Sequence, residues 1–128
     1  MPLFAIATLL ASLAISPAQA SFALMCDAPD GVSVSIPLGG GVGLTPMSAT
    51  IEMSGRTWTT DAAHEDPQAI LTAQAFGEGG LMAFDFADTN AERIVASVRI
   101  FASSQNDVFG GILDVFDVGA AVVSCSIG

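Results

Sequence analysis

The sequence contains no lysine and no tyrosine, and its 128 residues hold one histidine, one tryptophan and two cysteines. Each shortage removes a chemistry. Without lysine there is no amine to form a Schiff base, and without a second histidine the single imidazole, His64, has no partner ligand. Structural zinc, which takes four nitrogen or sulfur ligands, is excluded, and a catalytic zinc is disfavoured. Cations are also scarce: Arg56, Arg93 and Arg99 stand against 13 Asp and Glu, giving a formal net charge of −10. A field of that sign repels nucleic acid and anionic lipid. It suits a basic partner, a cation, or simple solubility.

What the sequence does have begins with an apolar run. Leu3 to Ile15 carries no charge, Ser16-Pro17 breaks it, and Ala18-Gln19-Ala20 has the small residues of a cleavage site. Residues 1–20 are therefore expected to be a secretory signal peptide, because the run falls short of the ~20 residues that cross a bilayer. Residues 21–128 are then one domain in a periplasmic or secreted setting, with no stable membrane insertion once the signal is removed. Export places Cys26 and Cys125, the only cysteines, in an oxidising compartment, where they are expected to form one disulfide.

Period-two alternation dominates after Ala20. Phe22, Leu24 and Cys26 share one face of a first strand, and Asp27-Ala28-Pro29-Asp30-Gly31 has turn chemistry. Val32, Val34, Ile36 and Leu38 form the apolar face of the next strand. Ala49, Ile51 and Met53, then Arg56 to Thr60, predict a hairpin about Ser54-Gly55. Ala69 to Phe76, read as a strand with a short helix as the alternative its Ala and Gln allow, and Leu81 to Phe86 flank a reversal at Gly77 to Gly80. Ile94 to Ala102 is the longest strand, and Ile112 to Phe116 with Ala121 to Cys125 make the last pair. Thr89 and Glu92 have capping-box spacing, which predicts one helical turn. The pattern is all-β: a small antiparallel β-barrel, or a sandwich, of about eight strands, its first and last strands joined by the disulfide.

The glycine run 39–43 lacks the Lys-Ser/Thr of a phosphate loop and reads as a wide turn. His64-Glu65-Asp66 has no nucleophile or metal partner and reads as a solvated loop. Asp85, Asp88, Asn90 and Glu92 offer hard oxygens of the kind calcium takes, but their spacing is not that of an EF-hand, and turn capping explains them more simply. Asp114 and Asp117 resemble a glycosidase pair only in being two carboxylates near a hairpin end. Trp58 reads as core, with sugar stacking the alternative. No catalytic residue, metal site or cofactor is assigned. The loop acids Asp61, Glu65, Asp66 and Glu78 are the candidates for contact with a basic protein.

Cys26-Asp27, the glycine turn at Gly31, Val34, Ile36 and the closing Cys125 together resemble the plan of the periplasmic inhibitors of c-type lysozyme. The resemblance covers the two ends of the chain and implies a small exported β-barrel tied by a cysteine pair. That family's inhibitory Ser-Gly-x-x-Tyr and Lys-Gly elements have no counterpart, since Tyr and Lys are absent.

The expected function is that of an acidic, exported, non-enzymatic binding or inhibitory module of the bacterial cell envelope. Two alternatives belong to other classes. A carrier of a small apolar ligand would show a cavity lined by Val34, Ile36 and Phe84. A hydrolase using carboxylates alone would show two acids facing each other in a cleft.

Overall fold

A computed structural model describes residues 22–39, 44–103 and 108–128. The expected signal peptide, and most of the loops 39–43 and 103–107, lie outside the described residues. Nine strands follow one another: β1 (Phe22–Ala28), β2 (Val32–Leu38), β3 (Thr50–Met53), β4 (Arg56–Thr59), β5 (Leu71–Glu78), β6 (Leu81–Ala87), β7 (Ile94–Ser103), β8 (Val108–Val115) and β9 (Gly119–Ile127). All pair antiparallel in a single sheet of order β4-β3-β2-β1-β9-β8-β7-β6-β5, curled into a half-barrel.

Alternation decides which side chains enter the core. Val32, Val34, Ile36 and Leu38 of β2 are buried, while Ser33, Ser35 and Pro37 between them are half-exposed. Ala96, Val98 and Ile100 do the same for β7, and Phe84 and Phe86 for β6. Together with Leu24, Ile51, Trp58 and Leu113 they form one apolar cluster. Each fully buried Phe, Leu or Ile contributes about 1.5–3 kcal/mol. Trp58 is thus a core residue, with the Arg56 guanidinium 4.8 Å from its ring centre.

The terminal strands meet in the middle of the sheet. Ala23 and Gly128 exchange backbone bonds of 2.8 and 3.1 Å. Three positions along, Cys26 stands opposite Cys125. That places the cysteines at a non-hydrogen-bonded pair, where opposed Cα atoms approach most closely. Their Cα atoms are 4.0 Å apart and the disulfide is formed. With a sequence separation of 99 between its ends, the bridge stabilises the fold by about 4–5 kcal/mol in the chain-entropy account.

The two edges of the sheet, β4 and β5, are consecutive in sequence. A short parallel bridge brings them together: Thr59 N–H donates to the Gln68 carbonyl at 2.9 Å, and Ile70 N–H to the Thr59 carbonyl at 3.1 Å. The seam of the half-barrel therefore lies mid-chain, and not where the termini meet.

Between β6 and β7 there is a bend in place of the expected helical turn. Asp88, and not Thr89, caps it: its Oδ1 accepts the Glu92 N–H at 2.8 Å and its carbonyl accepts the Ala91 N–H at 2.9 Å. Ala91 has φ 55°, which a helix does not allow.

Candidate functional site

A meander sends alternate turns to opposite ends of the sheet. The turns β1–β2, β3–β4, β6–β7 and β8–β9 fall at one end, the turn end. The β5–β6 turn, the exit of β2, the start of β1 and the finish of β9 fall at the other, the mouth. The two ends differ in chemistry. Asp30, Asp88, Glu92 and Asp117 occupy the turn end, with Arg56 and Arg93. The mouth holds Phe22, Leu44, Met47, Leu81, Met82, Phe109 and Ile127, with Glu78 as its acid among the described residues.

At the mouth the side chains leave a recess of about 440 Å3, lined by Phe22, Leu44, Met82, Phe109 and Ile127 and by Gly77 to Leu81. Its size lies within the range of small-molecule sites. Local sequence shapes its wall. The inward position opposite Met82 is Gly77, where a Cβ would sit 2.8 Å from a methyl of Leu44. Gly79 and Gly80 follow at φ 58° and 84°, completing a two-residue hairpin turn that offers backbone and no side chain. Leu44 is held by a fold-back in which Gly39 N–H donates to the Thr45 carbonyl and Met47 N–H to the Pro37 carbonyl, both at 2.8 Å.

The residues whose cavity would mark a carrier, Val34, Ile36 and Phe84, are fully buried and do not line this recess, because side chains fill the interior of a barrel this small. The recess lies above them. A second hollow, of about 120 Å3 between Ser97, Asp114 and Phe116, is too small for a ligand.

The four acids singled out from the sequence do not form one group. Asp61, Glu65 and Asp66 lie in the exposed loop that leads from β4 to the seam, while Glu78 is at the rim of the recess, one strand length from the start of β5. That length is roughly 23 Å at the usual rise per residue. Asp66 also has a local duty, since its Oδ1 accepts the Gln68 N–H at 2.8 Å and orders the approach to the seam. His64 is exposed in the same loop.

Asp85 is held by two side chains of β7. It stands on the outer face, 2.9 Å from the Arg99 guanidinium, and accepts the Ser97 hydroxyl at 2.9 Å. Burial pushes its carboxyl pKa up, but the bonds from Arg99 and Ser97 and the Arg99 charge outweigh this and hold it below its usual value. Asp85 therefore belongs to an ion pair on the sheet and is not brought to Asp88 and Glu92 as a calcium ligand. Among the described residues no three His, Cys, Asp or Glu side chains are grouped to hold a metal, and no charged side chain is buried.

The residues lining the recess, at positions 22, 44, 82, 109 and 127, were missed from the sequence because each looks ordinary in its own segment. The available signal was glycine: Gly77 on the inward face of a strand and Gly79-Gly80 after it, where a close approach or a gap is expected.

Fold and site define a disulfide-tied, all-β half-barrel with an apolar mouth at one end and acidic turns at the other. No family model, curated protein or solved structure matches the chain.

Proposed function

We propose that the protein is a periplasmic or secreted binding module that works without catalysis and takes an apolar group bearing a positive charge into the mouth recess. The recess of about 440 Å3 carries this reading. Its walls are aliphatic and aromatic, which favours an apolar body. Glu78 at its rim and the net charge of −10 favour a cation beside that body. The disulfide supports an oxidising compartment. A basic protein would supply the same chemistry as an apolar side chain flanked by Arg or Lys, and the resemblance of the chain ends to lysozyme inhibitors makes a c-type lysozyme the first such partner to try.

The test is calorimetric titration of the purified protein with an alkyltrimethylammonium and an alkyl sulfate of equal chain length, both below their micelle concentrations. The cation is expected to bind several-fold more tightly. Glu78→Gln should narrow that preference, and Phe22→Ala should weaken both ligands. A c-type lysozyme titrated in parallel should bind more weakly as salt rises, since screening acts over about 8 Å at physiological ionic strength. If neither surfactant binds, or if binding ignores both substitutions, the recess is not the site.

A further inference from the structure

The two edges of the sheet are finished very differently. β4 is four residues long, starts on the charge of Arg56, and is bridged at its end by Gln68 and Ile70. Short length, charge and cover are how edge strands are kept from pairing. β5 has none of these along most of its length. It has eight residues, only Ala75 is even half-buried, it has no proline or lysine, and its one charge is the terminal Glu78. Among the described residues, no backbone bond outside the ladder with β6 involves any residue from Leu71 to Glu78.

The free groups on that edge can be named. Glu78 and Leu81 flank the two-residue turn Gly79-Gly80, so they form a hydrogen-bonded pair. Counting back in twos, Phe76 and Gln74 also turn their backbone groups toward β6. Ala75 and Gly77 therefore turn theirs outward, with no backbone partner among the described residues. A bulge between Thr72 and Gln74 ends this stretch, and the seam at Ala69 and Ile70 lies beyond it.

We infer that β5 is a self-association edge, pairing antiparallel with β5 of a second copy about a two-fold axis at Phe76. Every antiparallel register of two identical strands is two-fold symmetric, but this one pairs both outward residues with each other and uses neither the bulge nor the turn. Ala75 of each copy exchanges both backbone bonds with Gly77 of the other. Phe76, exposed on the outer face, meets Phe76 of the second copy at the non-hydrogen-bonded position, where side chains are closest. Gln74 then stands opposite Glu78 of the second copy, so each carboxylate meets an amide donor and not its own kind. An antiparallel two-fold pairing is also closed: it makes a dimer, and β4, short, charged and bridged at the seam, takes no part in it. The inference does not depend on what occupies the recess.

The experiment is sedimentation of the protein over a wide concentration range, with amide exchange measured at both ends of it. The sequence expects two results. A dimer should accumulate with concentration, and more readily at high salt, because each copy carries −10. The amides of Ala75 and Gly77 should exchange freely in the monomer and become protected in the dimer, while those of Gln74, Phe76 and Glu78 are protected in both. Ala75→Pro removes an outward donor that β6 does not use, and should weaken the dimer by about tenfold or more while the variant still folds as a monomer. Phe76→Lys, which places two ammonium groups at the axis, should do the same. If Ala75→Pro fails to melt cooperatively, Phe76→Lys and the exchange pattern decide. A protein that stays monomeric throughout, or a dimer indifferent to Phe76→Lys with Ala75 and Gly77 still exchanging freely, overturns the inference.

Discussion

Asp85 shows how a single side chain can be tied to the sheet without being buried. It bonds Ser97 and Arg99 on the neighbouring strand β7, and Arg99 also donates to the carbonyls of Phe84 at 3.2 Å and Val98 at 3.1 Å. Because the pKa of Asp85 is lower in the folded state than in the unfolded one, its contribution is fully present above the unfolded value, about 3.9. It is lost as the pH falls through the folded value. Arg99 is 41% exposed, so solvent screens the pair and its worth is no more than about 1 kcal/mol. Asp85→Asn is expected to cost about that at neutral pH. In denaturant melts the gap between variant and parent should narrow below about pH 4, where the parent's carboxyl also loses its charge. A gap unchanged from pH 7 to pH 3 would show that the charge on Asp85 is irrelevant.

At the scale of elements, what could be foreseen followed from alternation. The inward sets Val32-Val34-Ile36-Leu38 and Ala96-Val98-Ile100 are legible because a strand buried on one face must repeat every second residue. The disulfide is legible because two cysteines allow one pairing. The seam is not, because whether β4 or β1 ends the sheet depends on pairings between strands far apart in sequence. The bend at Asp88 is not, because Asp88 and Thr89 are both good capping residues and Ala91 gives no hint of its positive φ. Strand β8 holds another feature that alternation hides. Gly111 lies between β7 and β9, and a Cβ there would run into the Arg99 carbonyl. Because the obstacle is backbone, the strand itself must move. Gly111→Ala is expected to destabilise the fold by about 1–3 kcal/mol, the usual cost of overpacking, whereas Gly110→Ala, with its nearest obstacle at 3.2 Å, should cost less. Thermal melts of the two variants side by side check the order, and equal melting temperatures would count against the collision.

For the molecule as a whole, the meeting of β1 and β9 at mid-sheet has a topological consequence. The order β5-β6-β7-β8-β9-β1-β2-β3-β4 is a plain meander if it is read from the seam instead of from Phe22. A circular permutant that joins Gly128 to Phe22 by a short linker and opens the chain in the 61–65 loop would make every neighbouring pair of strands consecutive. The only pairing that now spans nearly the whole chain, β1 with β9, would become a local hairpin. Loop closure is the slow part of assembling distant strands, so the permutant should fold faster than the parent in stopped-flow refolding with the disulfide reduced in both. The disulfide would change its meaning as well. In the parent it closes a loop across a sequence separation of 99, and reduction should cost several kcal/mol. In the permutant it would close only the new hairpin, and reduction should cost distinctly less. The cystine is then best understood as a substitute for chain connectivity, holding at the centre of the sheet the one junction that the order of synthesis leaves open.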